Sequence, residues 1–484
     1  MSVSELRRTA TDAPVRPDGA YVLYWMIAQR RTTWNFALQY AALQARALGR
    51  PLLVFEPLRV DYPWASRRMH AFVLDGMRDN AAACAAAGIS YLPYVEPHPK
   101  AAAGLLEALA QHACEVITDE QPGFFQPRMV AAVAPRLPVR LTVVDGVGLL
   151  PLRAGERAWP TAASFRRHLH RVLGPWLERF PVADPLRLAP NLHAVVPAEI
   201  TARWPAADLD PTTLDRLPVD QTVREAFRGG AELAEANLME FLENRLPLYG
   251  EHRSHPDRHV ASGLSPWLHF GQISTHRIVA ALLERESWHP GRLGPVTGSR
   301  AGWWGLSAAV ESFLDELVTW RELGQGFSHF RPDDAERYNA LPEWALATLG
   351  KHATDRRPVL YTLAELEAAR THDPVWNAAQ TELVRTGRMH NYLRMLWGKK
   401  VLEWSPTPPE ALQILFHFNN KYAVDGRDPN SASGIMWTFG RFDRPWGPER
   451  PIFGTIRYMS SDNTVRKLEI KQYLARWGSQ SALL

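Results

Sequence analysis

YVLYWMIAQRRTTWNFALQYAALQARALGRPLLVFEP, residues 21–57, passes from an apolar run through a helical pattern into a second apolar run. YVLYWMI (21–27) and PLLVFEP (51–57) are short and rich in Val, Ile, Leu and aromatic residues, as strands are. TWNFALQYAALQARALG (33–49) between them has helical periodicity. The pattern continues outward. SYLPYVE (90–96), CEVITD (114–119) and RLTVVDG (140–146) read as further strands. An Ala-rich stretch ending near Gly88 and AAAGLLEALAQHA (101–113) read as the helices between them. Such alternation predicts an α/β fold with a doubly wound parallel sheet, whose ligands bind beyond the carboxyl ends of the strands. No GxGxxG follows the first strand and no Walker A string occurs. An ordinary dinucleotide dehydrogenase or P-loop enzyme therefore loses its support.

The chain has 484 residues, enough for two to four domains at about 100–200 residues each. A composition of 46% hydrophobic and 22% charged residues is that of a globular protein and excludes a wholly disordered or collagen-like chain. Cys84 and Cys114 form no CxxC, which excludes a disulfide framework and a cysteine-built zinc site. MSVSELRRTATDAPVRPDG (1–19) has no apolar core and reads as a flexible N-terminal arm rather than a secretory signal. No run of about 18 apolar residues occurs, so a soluble cytoplasmic protein is expected. The formal net charge of +4 does not by itself mark a nucleic-acid binder. Two features stand out: of 55 basic residues only seven are Lys, and there are 18 Trp, twelve of them at or after Trp267.

Residues 20–182 thus form the expected α/β domain. Residues 183–221, rich in Pro and Asp and weakly periodic, read as an interdomain linker. From 222 to 484 helical patterns dominate, with β structure entertained only for the last 30 residues.

Four segments of the helical half carry candidate chemistry. In LYGEHRSHPDRHVASGLSPWLHFGQIS (248–274), Ser262, Gly263 and Ser265 precede Pro266, as at a helix start or a phosphate cradle. His252, His255 and His259 lie in the same segment, but Pro256 breaks the helix that would align them on a metal, and no metal site is expected. In SFLDELVTWREL (312–323), Glu316 and Trp320 are four apart and share a helix face. That face either hydrogen-bonds and stacks on a planar ring or is a half-buried amphipathic surface. In DPVWNAAQTELVRTGRMHNYLRMLWGKKVLEW (373–404), Trp397 and Trp404 are two turns apart and Trp376 lies one helix earlier, as in an electron relay or a packed core. In 417–459, Asp425-Gly426 and Asp428-Pro429-Asn430 are turn signals within an irregular, aromatic-bordered stretch.

Taken together, SGLSPWLHFGQIS, FLDELVTWREL, THDPVWNAAQ, GRMHNYLRMLWGKKVLEW, VDGRDPN and ERPIFGTIRYM, in this order, resemble the photolyase/cryptochrome family. THDPVWNAAQ and ERPIFGTIRYM favour its class II cyclobutane pyrimidine dimer photolyases. The resemblance spans about residues 20–475. It implies an α/β domain followed by an all-helical domain that holds FAD, active in its reduced anionic form. Tyr249 and the loop Ala261, Ser262, Gly263, Leu264 and Ser265 would contact the FAD phosphates and ribityl chain. Asn419 would face the flavin N5, Arg394 and Asp425 would form a buried ion pair beside the ring, and Gly426 would let the backbone approach it. Glu316, Trp320, Asn391, Met395, Trp437 and Trp446 would meet the lesion, with Glu316 bonding its carbonyl. Trp397, Trp376 and Trp404 would form an electron relay, in the order Trp397, Trp376, Trp404, that re-reduces oxidised flavin from the surface. An antenna, 8-hydroxy-5-deazaflavin or a folate, is allowed in the α/β domain. The implied activity is light-driven repair of pyrimidine dimers flipped out of UV-damaged DNA, by a monomer that needs no membrane.

Ser254 stands where class II members often carry Asn. Residues 287–306 look like an insertion, whose Trp303 and Trp304 are either core or a DNA-facing wedge, and Pro448 interrupts the run into ERP. The alternative is a cryptochrome-type photoreceptor without repair. The intact lesion residues and the absence of a long tail after the family core weigh against it. A (6-4) photoproduct repair enzyme would need a His pair whose motif the 252–255 region does not match.

Overall fold

The computed structural model describes residues 2–478, grouped into two compact units, each assembled from separate stretches of chain. The first comprises residues up to Glu156 with Val172–Leu238 and Leu264–Pro290; the second comprises Arg157–Arg171, Met239–Gly263 and the residues from Gly291 onward.

The first unit is built on six strands: β1 (Arg8–Ala10), β2 (Tyr21–Trp25), β3 (Leu52–Leu58), β4 (Ser90–Val95), β5 (Ala113–Asp119) and β6 (Leu141–Val144). Their order is β1-β6-β5-β2-β3-β4, parallel except for β1 against β6. The five strands read from the sequence are all present. Alternation of side chains divides β2 between two cores. Tyr21, Leu23 and Trp25 pack with Leu105 and Leu109 of the helix Leu105–Gln111. Val22 and Tyr24 pack with Leu38, Ala41 and Ala42 of the helix Phe36–Leu48. Asn35 caps that helix by accepting from the Leu38 N–H, and Gly49 ends it at φ 62°, where a side chain would be strained.

The topological switch lies between β2 and β5. There the buried Asp119 carboxylate accepts the backbone N–H groups of Ile27, Ala28 and Gln29 at 2.8–2.9 Å and the Tyr24 hydroxyl at 2.7 Å. A glycine-rich turn would offer such N–H groups to a phosphate. Here a side chain takes them, which accounts physically for the missing GxGxxG.

Three stretches depart from the sequence reading. The stretch 1–19 is not simply a flexible arm. Its Arg7 is buried and donates to the carbonyls of Asp145, Gly148 and Leu149 at 3.2, 3.2 and 2.6 Å, and β1 adds an edge strand. A three-residue strand in an Arg-rich segment has no periodicity to read. The 183–221 stretch is likewise not a bare linker. Trp204 is buried and donates its indole N–H to the Ala101 carbonyl at 2.9 Å, and Leu214 is buried with it in the first unit. Residues 222–238, read as the start of the helical half, also group with the sheet.

The second unit is helical. It includes the long helices Pro374–Thr386, Asn391–Trp404 and Pro408–Tyr422, followed by Pro429–Thr438. Asp373, Thr407 and Asp428 cap three of these by accepting the first free N–H groups. The final described residues form the helices Ser461–Lys467 and Lys471–Trp477, not strands. Among the described residues no helix is long and apolar enough to cross a membrane.

Candidate active site

Glu316 and Trp320 stand on a helix that runs Ala308–Leu314, passes through a π-helical stretch at Asp315–Trp320 and resumes as Arg321–Phe330. π-helical insertions concentrate at functional sites because they re-aim side chains within an otherwise regular helix. Asp315 is buried and accepts from Arg166 of the helix Ala162–Val172, Nε to Oδ1 at 2.7 Å and Nη2 to Oδ2 at 3.0 Å. This bidentate pair fixes the turn. Glu316 follows, partly exposed, and forms an ion pair with Arg253. Tyr249, one turn before Arg253, is buried edge-on against Phe241 and Phe313. Burial, and then the Glu316 charge, pushes its phenol up to about 12. The structure thus joins Tyr249 to the Arg253–Glu316 pair.

Arg394, on the helix Asn391–Trp404, donates to Asp425 at 3.0 and 3.4 Å. The pair is only partly buried, with side-chain exposures of 23% and 16%. Asn419, on Pro408–Tyr422, is buried and donates to Asn420 Oδ1 at 3.0 Å and Ser431 Oγ at 3.2 Å. A Cβ at Gly426 would lie 2.4 Å from the Asn419 carbonyl oxygen, so glycine is required there by the chain's own close approach. Arg388 is lowered to about 10 by burial, with Arg245 acting in the same direction and Asp425 opposing. The guanidinium groups of Arg245, Arg388 and Arg394 gather here, with Glu240, Glu382 and Asp425 as counter-charges, and such donors suit a group bearing phosphates and an anionic ring. Arg245 also donates to the Ala261 carbonyl at 2.5 Å, and Gly263 in the same loop has φ 66°. Ser265 begins a five-residue helix ending at His269.

Trp397, Trp376 and Trp404 are brought together. The Trp376 indole N–H donates to the Trp397 carbonyl at 3.1 Å, and the rings of Trp376 and Trp404 are 5.6 Å apart. Trp397 donates its own indole N–H to Gln380 at 2.8 Å. All three are at most 2% exposed, so none of them is itself a surface terminus of the relay. Tyr361 and His372 pack against it, each at 5.4 Å, and the Tyr361 hydroxyl is 2.6 Å from His372 Nδ1.

Met395, Trp437 and Trp446 line one cleft of about 620 Å³, together with Tyr392, Tyr458, Arg450, Arg457, Arg466 and Lys467. Its lining thus mixes four aromatic rings with four cationic side chains. Asn391 is exposed at the start of its helix and, like Glu316 and Trp320, is not among the residues lining this cleft. Trp303 and Trp304 are buried. Trp303 stacks on His170 at 4.6 Å with the planes 3° apart, so within the second unit these indoles are core and not a wedge. Among the described residues no group of three or more His, Cys, Asp or Glu could hold a metal. Arg166, Arg253, Lys399, Asp443 and Arg457 were not singled out from the sequence. Each acts through a partner far along the chain, and only Asp315, adjacent to Glu316, had a local signal.

The fold is similar to that of a solved bacterial class III photolyase from Agrobacterium tumefaciens. That structure matches with a TM-score of 0.69 at 17% identity, covering 95% of this chain and 86% of that one. No family model matches the sequence. Curated relatives do match. The deoxyribodipyrimidine photo-lyase of Methanothermobacter thermautotrophicus is 36% identical over 463 residues, 95% of this chain and 94% of that protein. Those of Oryza sativa subsp. japonica and Potorous tridactylus are 34% and 32% identical, covering 87% and 83% of their own lengths and 94% and 97% of this chain. The chain belongs to the deoxyribodipyrimidine photolyase family of lyases.

Proposed function

We propose that this protein is a class II photolyase that repairs cyclobutane pyrimidine dimers in DNA under blue or near-UV light, working as a monomer in the cytoplasm. The observation that carries this reading is the cleft of about 620 Å³, with Met395, Trp437 and Trp446 in its wall and four cationic side chains around it. Its volume lies within the roughly 300–1,000 Å³ of small-molecule pockets. Its indole and Met surfaces would receive flipped bases, while its Arg and Lys side chains would meet the flanking phosphates.

The residues around Arg388 and Arg394 would hold FAD, with Asn419 and the loop Ala261–Ser265. Bound in reduced form, this cofactor would supply on excitation the single electron that opens the cyclobutane ring and would recover it afterwards. Arg394 beside Asp425 keeps a positive group where an anionic ring is favoured. Glu316, on the helix anchored by the Arg166–Asp315 pair, would as a carboxylic acid donate its O–H to the lesion carbonyl, where negative charge develops. Glu316, Trp320 and Asn391 lie outside the residues that line the cleft, and their contact with the lesion rests on the family resemblance alone. Trp397, Trp376 and Trp404 pass an electron inward through adjoining buried indoles. An antenna, 8-hydroxy-5-deazaflavin or a folate, would lie in the first unit beyond β3 and β5. There Tyr62 and Phe125 stack at 5.5 Å and Phe124 and Phe125 meet at 5.1 Å.

The reading is tested with protein loaded with FAD, reduced, and mixed with an oligonucleotide holding one thymine dimer. Dimers are expected to disappear in blue light and persist in the dark, while a (6-4) lesion survives both. Survival of the dimer in light would overturn the proposal.

A further inference from the structure

Five side chains beside the cleft alternate as cation and ring. Lys399 Nζ lies 4.7 Å from the Trp437 ring centroid, and the Arg457 guanidinium is 5.5 Å from the same ring. Arg457 is also 3.7 Å from the Trp446 ring, and Arg444 lies 4.1 Å from that ring. Asp443 clamps the assembly. It accepts from Arg457 Nε at 2.9 Å and Nη2 at 3.2 Å, and from the Trp446 indole N–H at 3.1 Å.

Lys399 is the unusual member. It is fully buried, and its ammonium donates to the Thr438 carbonyl at 2.6 Å, at the end of the helix that carries Trp437. The helices meet too closely there for a methyl group: a Cβ at Gly398 would lie 2.5 Å from Thr438 Oγ1. A buried ammonium is costly unless it is partnered, and the partners of this one are the Thr438 carbonyl and the Trp437 ring of the cleft lining.

We infer that Lys399, Arg457 and Arg444 interleave with Trp437 and Trp446 as one cation–indole stack clamped by Asp443, and that Lys399 and Asp443 are positioning residues for lesion binding. The inference rests on the assignment of the cleft to the lesion. A ring held between cations cannot swing, so both indoles meet a flipped base without ordering cost at the moment of binding.

Burial lowers Lys399 to about 7, with Arg457 acting in the same direction and Asp443 opposing. Its charge is thus present below about 7 and lost above. The position of Trp437 should respond in the same range.

The test measures affinity of the FAD-loaded protein for a duplex with one thymine dimer and for the same duplex undamaged, across pH. The wild type is expected to lose dimer affinity as pH rises from a unit below to a unit above the Lys399 value, and Lys399→Met to be weak and flat throughout. The expected loss in the variant at low pH is about 5–30-fold for the damaged duplex, with flavin absorption and undamaged affinity unchanged. A merely structural lysine would not remove the pH dependence. If Lys399→Met fails to retain FAD, Asp443→Asn decides, with a loss of the same order expected because Arg457 is released. Wild-type affinity and pH profile in these variants would overturn the inference. A wild type that does not distinguish the duplexes would instead overturn the assignment of the cleft.

Discussion

Arg166 and Asp315 form a buried bidentate ion pair, at 2.7 and 3.0 Å, one residue ahead of Glu316. The guanidinium comes from a helix about 150 positions earlier, so the orientation of the proposed lesion-binding side chain depends on a contact that local sequence cannot encode. Removing one member leaves the other buried and charged. Asp315→Asn should therefore cost about 3–5 kcal/mol of unfolding free energy, measured by denaturant titration. An unchanged midpoint would mean that the pair does not fix the turn.

Glu316→Ala should lower repair on the order of 10-fold or more while flavin absorption is retained, because its proposed role is to donate a hydrogen bond to the lesion carbonyl as negative charge develops there. Arg253→Met should also alter repair, since Arg253 pairs with Glu316 in the structure. Single-turnover yields per absorbed dose measure both. A full yield in Glu316→Ala would remove its assigned role.

Trp397→Phe should block photoreduction of oxidised flavin yet spare repair by enzyme reduced beforehand. Trp376, fully buried, is also structural: Trp376→Ala should destabilise by about 3–5 kcal/mol. Transient absorption separates the two effects. Photoreduction at the wild-type rate in Trp397→Phe would exclude this relay.

His170 and His390 are both lowered from 6.5 to about 4, mainly by burial. The folded protein thus keeps them neutral while the unfolded chain binds their protons, so stability is lost as pH falls from 6.5 towards 4 and is unaffected by these groups above that window. His170→Phe, which preserves a ring against Trp303, should flatten the stability–pH slope there. An unaltered slope would show that His170 does not contribute.

The sheet was legible because β2 to β6 are apolar runs separated by periodic helices, and period is a local property. β1 was not, since three residues carry no period. The candidate residues on the long helices were legible through the resemblance of GRMHNYLRMLWGKKVLEW and VDGRDPN to a known family. Their partners were not. Arg253 meets Glu316 across 63 positions and Lys399 meets Thr438 across 39, and no spacing rule joins such pairs. Trp303 and Trp304 were left open because an indole in an irregular segment looks the same from the sequence whether it is buried or exposed. The stack on His170 decides it. The 48 Arg acquire roles one at a time: Arg7 ties down the N-terminal segment, Arg166 anchors a helical turn and Arg457 lies between two indoles.

The central claim is light-driven dimer repair. Its most direct measurement is the number of thymines restored per absorbed photon from a dimer-containing duplex, by wild type and Glu316→Ala prepared with equal reduced FAD. The account predicts restoration by the wild type in light alone and a deficit on the order of 10-fold or more in the variant. Flavin photoreduction in the wild type with no thymine restored would contradict it.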